Sequence, residues 1–200
     1  MLPPAVANGL VYIEGVTSTK YKVLPPTGTP NIQQDLFALD TGTGKIAWTY
    51  HEGPGQTPFF YAASTPTVVG DTVYFGSDVT ASFYAVNAKT GQQRWVYKVG
   101  PWNLPNTIGE SGVVHNGIVW TGTRGGVLLG LNTSDGSVAF KKQYKAPWYA
   151  GSPAVVDDTL IMASSAGQVY AFAIPQLLKG QCACCWHGAM RKLVHCQGTF

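Results

Sequence analysis

Tyr84-Ala85-Val86-Asn87-Ala88-Lys89-Thr90-Gly91-Gln92-Gln93-Arg94-Trp95 decides the fold, because the chain writes this phrase three times. Phe37-Ala38-Leu39-Asp40-Thr41-Gly42-Thr43-Gly44-Lys45-Ile46-Ala47-Trp48 precedes it, and Leu129-Gly130-Leu131-Asn132-Thr133-Ser134-Asp135-Gly136-Ser137-Val138-Ala139-Phe140 follows. The closing aromatics Trp48, Trp95 and Phe140 stand about 45 residues apart, the period of propeller blades. A fourth copy opens at Tyr170-Ala171-Phe172 and does not continue. A unit of this size buries too little apolar surface to fold alone, so the repeat itself demands stacking.

Working outward, Ser64-Thr65-Pro66-Thr67-Val68-Val69, Ser111-Gly112-Val113-Val114 and Ser152-Pro153-Ala154-Val155-Val156 are matching opening strands. The turns Gly70-Asp71, Asn116-Gly117 and Asp157-Asp158 follow them. Asn-Gly between apolar runs is a strong hairpin signal, because both positions favour positive φ. Second strands come next, Thr72–Ser77, Ile118–Gly122 and Thr159–Ser164, then the repeated phrase as a third strand and a fourth ending on the aromatic. This predicts an all-β fold, a β-propeller of four-stranded antiparallel blades, with four blades present and the last lacking its final strand. No helical period is visible before residue 176. The domain boundaries expected are 1–175 for the propeller segment and 176–200 for a cysteine-containing tail.

The phrase Ala-x-Asp/Asn-x-x-Thr-Gly-x-x-x-Trp, after a Val-Tyr-x-Gly-Ser strand, resembles the pyrroloquinoline quinone (PQQ)-type propeller repeat over about residues 4–174. Asn87, Gly91 and Trp95 match it best. That family includes quinoprotein alcohol dehydrogenases and cofactor-free propellers such as the outer-membrane assembly lipoprotein. The resemblance implies a ring of seven or eight blades, of which this chain holds part. Closure by a second copy and a compact four-bladed ring are the alternatives. An open arc would expose sheet edges, which invites self-association. The family is usually exported, although no signal peptide is visible at Met1.

Charge excludes one class of partner. Lys and Arg number 13 against 10 Asp and Glu, a net charge of +3. Three of the basic residues, Lys179, Arg191 and Lys192, lie after Pro175, so the blades themselves are balanced, unlike a nucleic-acid binder. No apolar run reaches the length of a transmembrane span. All four cysteines lie in the tail, so disulfides do not hold the blades together.

Within a blade, the first-to-second and third-to-fourth turns share one face, and these are short. The long connections, Val16–Gln34, Gly53–Ala63, Pro101–Glu110 and Lys145–Gly151, share the other, together with Asp78–Ala81 and Arg124–Gly126. Rigid scaffolds carry function on such loops. Phe59, Phe60, Tyr61, Trp102, Trp148 and Tyr149 lie there with Asp78, Asn106, Glu110 and Arg124. PQQ with Ca²⁺ would need stacking rings and oxygen ligands, which makes Trp102, Trp148, Asn106 and Arg124 the cofactor-binding candidates. Glu110 and Asp78 are the carboxylates suited to act as a catalytic base. Trp, Tyr and Arg equally suit a protein partner, and Trp102 and Trp148 equally suit the gaps between blades. Cys182, Cys184, Cys185 and His187, with His195 and Cys196, are the metal candidates, in a spacing that matches no standard zinc module. His51 and His115 read as loop and turn residues. No intact catalytic motif is present, so the leading expectation is a binding or scaffold module acting through the long-loop face. Part of a PQQ-dependent dehydrogenase oxidising an alcohol or sugar is the alternative.

Overall fold

The computed structural model describes residues 3–16, 29–57, 64–145, 147–148 and 152–180. They form four separate antiparallel sheets, in each of which strands consecutive in the chain are neighbours. Sheet 1 holds β1 (Ala5–Ala7), β2 (Leu10–Val16), β3 (Thr29–Asp40) and β4 (Ile46–Thr57). Sheet 2 holds β5 (Thr67–Val69), β6 (Thr72–Ser77), β7 (Ser82–Asn87) and β8 (Gln93–Lys98). Sheet 3 holds β9 (Val113–His115), β10 (Ile118–Gly122), β11 (Val127–Asn132) and β12 (Val138–Gln143). Sheet 4 has three strands, β13 (Ala154–Val156), β14 (Thr159–Ala163) and β15 (Val169–Ala173), followed by the short helix α1 (Ile174–Leu178).

The turns explain why these residues fold this way. Asn8-Gly9 and Asn116-Gly117 take positive φ at both positions, whereas Gly70 and Asp157 do so at the first position only. Each Thr-Gly phrase closes by one hydrogen-bond pattern. Gly44 N–H donates to Asp40 O at 2.8 Å, Gly91 to Asn87 and Gly136 to Asn132 at 2.9 Å. The side chains of Asp40 and Asn87 accept from the two amides that follow in the turn. The third and fourth strands slip register at Ala38/Leu39, Ala85/Val86 and Gly130/Leu131, so the same bulge recurs in each complete blade.

Three cores hold the sheets together, one between each consecutive pair. Tyr12, Leu36 and Ala38 of blade 1 meet Val73, Phe75 and Tyr84 of blade 2. Phe83, Ala85 and Trp95 meet Val119, Leu129 and Leu131. Trp120 and Leu128 meet Leu160, Met162 and Phe172. Among the described residues no core joins sheet 4 to sheet 1.

The closing tryptophans fasten blade 1 to blade 2 and blade 2 to blade 3. Trp48 Nε1 donates to Ala88 O at 3.1 Å, and Trp95 Nε1 to Thr133 O at 2.9 Å. A Cβ on Gly91 would stand 2.6 Å from the Trp48 ring, and one on Gly136 would stand 2.7 Å from the Trp95 ring. Glycine is therefore required twice over, by its φ and by the indole lying on it. In sheet 4 the corresponding turn is replaced by α1, which starts with Pro175 in its first turn. Ile174 N–H donates to Asp158 O at 2.9 Å, as Ala88 N–H does to Asp71 O at 2.8 Å. Ile174 and Leu177 are buried in the core that Phe140 borders.

Two connections are shorter than their composition suggested. β3 begins at Thr29 and β4 runs to Thr57, inside stretches read as loops. Register shifts at Pro30/Ile32 and Gln34/Asp35 absorb the proline, and Gly53 at φ 101 sits opposite Gln34.

Gly91→Ala and Gly44→Ala should separate conformation from packing. Both glycines have φ near +70°, but no described atom lies within 4 Å of a Cβ on Gly44. Urea unfolding is expected to show a loss of about 1 kcal/mol for Gly44→Ala and at least twice that for Gly91→Ala.

Candidate functional site

The long-loop face is organised by one buried ion pair across blades 2 and 3. Asp78 follows β6 and Arg124 follows β10, so both stand at strand ends where the chain leaves the sheet. Arg124 Nη2 lies 2.5 Å from Asp78 Oδ2, and its Nε donates to Oδ1 at 3.1 Å. The Asp78 side chain is 1% exposed and that of Arg124 17%. Gly109 makes room, since a Cβ there would come within 3.0 Å of both charged groups.

The loop Pro101–Glu110 is draped over this pair. Arg124 N–H donates to Thr107 O at 3.0 Å, Gly125 N–H to Pro105 O at 2.8 Å, and Ile108 N–H to Ser77 O at 3.4 Å. Trp102 Nε1 donates to Asp78 O at 3.0 Å. Asn106 belongs to a 3₁₀ turn, Leu104–Asn106, capped by Asn103, and its Nδ2 donates to Pro101 O at 2.8 Å. Pro101, Asn103, Leu104 and Pro105 are the exposed part of this anchored loop.

The other residues expected at a site sit apart from it. Trp148 is fully buried between blades 3 and 4, with its ring edge-on to Tyr170 at 5.1 Å. Gly122 receives it, since a Cβ there would meet the Trp148 side chain at 2.5 Å. Glu110 is 5% exposed. The structure thus gathers Asp78, Arg124, Trp102 and Asn106 and leaves Trp148 in a core. His51 and His115 are not plain loop residues. His51 Nδ1 lies 2.9 Å from Asp35 Oδ1 within sheet 1, and His115 Nε2 lies 2.8 Å from Asp158 Oδ1 across blades 3 and 4. Phe59, Phe60, Tyr61, Tyr149 and the metal candidates Cys182, Cys184, Cys185 and His187 lie outside the described residues, as do His195 and Cys196.

Sequence reasoning missed a second polar cluster, at the seam of blades 1 and 2. Glu14, Gln34, Asp35 and Glu52 are each at most 8% exposed. Glu14 Oε2 accepts from Gln34 Nε2 at 2.9 Å and from Ser64 N–H at 2.6 Å, and Oε1 accepts from Ser64 Oγ at 3.0 Å. The signal was strand alternation, because Tyr12 and Glu14, or Trp48, Tyr50 and Glu52, share a face with the inter-blade tryptophan. Burial, and then the charge of Glu52, hold the Glu14 carboxyl well above its ordinary range. Burial also pushes Glu52 up to about 8, with the Ser77 hydroxyl opposing and Asp35 adding to the rise. Tyr84, which faces the cluster from blade 2, is raised by burial and by both glutamates.

These sheets, with their recurrent bulge and indole contacts, define a propeller segment of PQQ-type repeats. The chain belongs to the family described as outer membrane protein assembly factor BamB, which matches residues 2–106. The tetrathionate hydrolase of Acidithiobacillus ferrooxidans is 24% identical over 178 residues, which is 88% of this chain and 34% of that protein. BamB of Yersinia pestis is 30% identical over 149 residues, 70% of this chain and 36% of its own length. The chain thus spans about a third of the curated relatives it matches. Quinohemoprotein alcohol dehydrogenase from Comamonas testosteroni superposes with a TM-score of 0.62 at 16% identity, covering 94% of this chain and 34% of that one. At that identity the likeness is one of fold.

Asp78→Ala removes a desolvated bidentate partner of Arg124 and should lower stability by roughly 3 kcal/mol in a denaturant titration. Arg124→Lys should recover less than half of the native ion-pair stability, since an ammonium cannot form the fork.

The glutamate cluster gives a signed pH dependence. Glu52 holds a proton in the folded state up to about pH 8, whereas its ordinary value is 4.5. The folded state therefore binds more protons than the unfolded chain within that window, and stability falls as pH rises through it. The urea midpoint of the wild type is expected to drop between about pH 5 and about pH 9. Glu52→Gln should flatten that slope and raise the midpoint at the alkaline end.

Proposed function

We propose that this chain is a non-catalytic binding module that presents its long-loop face to a protein partner. The observation that carries this reading is how the candidate chemical groups are employed. The Asp78 carboxylate is tied to Arg124 by two hydrogen bonds, and the Trp102 indole and the Asn106 amide anchor the loop backbone. Trp148, the second ring proposed for quinone stacking, is fully enclosed. Groups spent in this way build a stiff surface instead of a reaction centre. That surface projects Asn103, Leu104 and Pro105, with Leu104 39% exposed on the 3₁₀ turn. An apolar side chain on a preorganised loop suits a protein partner, because little ordering entropy is lost on docking.

The name of the Yersinia pestis relative points to outer membrane protein assembly, which suggests a β-barrel polypeptide before it folds as the partner. The alternative, a quinone-binding part of a dehydrogenase, draws support from the shared fold of the Comamonas testosteroni enzyme. Two titrations separate the readings. PQQ with Ca²⁺ is expected to give no saturable quenching of tryptophan fluorescence at high micromolar concentration, and alcohols no dye reduction. A labelled outer-membrane barrel polypeptide, diluted from urea, is expected to bind saturably by fluorescence anisotropy, with affinity lowered about tenfold by Leu104→Glu. Quenching by PQQ that is lost in Trp102→Ala would overturn the proposal.

A further inference from the structure

We propose that the seam of blades 1 and 2 is a site for one divalent cation of calcium size, held by the carboxylates of Glu52 and Glu14 and by the side-chain carbonyl of Gln34. Strand pairing brings these three into one row. Gln34 and Leu36 share a face of β3, and Leu36 pairs with Glu14 of β2 on one side and with Tyr50 of β4 on the other. Alternation from Tyr50 puts Glu52 on the same face, as the extra residue of the bulge at Gln34/Asp35. Blade 2 closes the row. Ser64 reaches Glu14 with its N–H and its hydroxyl, and the Tyr84 hydroxyl donates to Glu52 O at 3.4 Å.

The row holds more acceptors than donors. Gln34 Nε2 is spent on Glu14 Oε2, and Oε1 of the same amide is buried with no hydrogen-bond partner. Gln34 is 0% exposed, so water does not serve that oxygen. Both carboxylate oxygens of Glu52 are buried without a well-formed hydrogen bond, and the Ser77 hydroxyl is the neighbour that eases their charge. Among the described residues, no Lys, Arg or His forms an ion pair with Glu14 or Glu52. A proton on Glu52 would serve one neighbouring acceptor, whereas a cation placed among them serves all three and balances both carboxylates.

The donor set selects the ion. Every ligand atom is an oxygen, the hard set that Ca²⁺ and Mg²⁺ share. The rings of Tyr50, Phe75 and Tyr84 pack together next along this face, which leaves little room for the waters that Mg²⁺ retains. Among the described residues no three His, Cys, Asp or Glu side chains converge as a metal cluster, so the Gln34 carbonyl is a necessary ligand here. Trp102, Asn106 and Arg124 lie in the connections of blades 2 and 3, apart from this row.

Calcium alone, added to the full chain after treatment with EGTA, tests the assignment. At saturation the midpoint of thermal unfolding is expected to rise by about 5 °C or more. Terbium, a luminescent ion of similar size and ligand preference, should show emission sensitised through Tyr50 and Tyr84. Glu52→Gln keeps the shape of the side chain and should abolish both signals, while the exposed Asp158→Asn leaves them unchanged. Gln34→Met should weaken terbium binding about tenfold through loss of the neutral ligand. A midpoint indifferent to millimolar Ca²⁺, with no sensitised emission, would mean that protons alone neutralise the seam and would overturn the proposal. Binding that persists in Glu52→Gln would put the ion elsewhere and would overturn it equally.

Discussion

The indole of one blade lying on the glycine of the next is the contact on which the rest depends. Trp48 and Trp95 each bury a large ring and direct an N–H to a backbone carbonyl of the following blade. The contact is possible only because the receiving turn has positive φ and no Cβ. One short phrase therefore sets both the turn within a blade and the spacing between blades. Sheets fastened in this way bring their long connections to one side. That is why Asp78, from blade 2, and Arg124, from blade 3, can meet as a buried pair.

This arrangement separates stability from recognition. The tight-turn face is where the blades lock, and its hydrogen bonds recur in the complete blades with nearly constant geometry. The long-loop face differs from blade to blade, and its polar groups are tied down by one another. The loop bearing Leu104 is held by backbone bonds to Arg124 and Gly125, so it offers a surface with little left to order. The seam of blades 1 and 2 breaks the apolar pattern with Glu14 and Glu52. Burying two carboxyl groups so close together is tolerable only if their charge is neutralised, by retained protons or by a cation, which links this seam to pH.

Much of the fold was legible in the sequence because propeller geometry is written locally. The Asn/Asp, the Gly and the closing aromatic of each phrase have separate physical roles, and together they spell out the strands, the turns and a fourth blade of three strands. The extents of β3 and β4 were not legible, since bulges at Pro30 and Gln34 carry the pairing through residues that read as loop. The Asp78–Arg124 pair spans 46 residues, and composition does not report contacts between blades. Both members were named as candidates, yet as a base and a cofactor ligand instead of as partners. The glutamate seam was legible in principle, because alternation from Trp48 through Tyr50 reaches Glu52 on the inward face.

The most direct test of this account is a double-mutant cycle on Trp48 and Gly91, read by urea unfolding. If the indole rests on the glycine, Gly91→Ala should cost less once Trp48→Leu has removed the ring, with a coupling of about 1–2 kcal/mol. Additive losses would mean that the two residues act independently, and the proposed link between blades would fail.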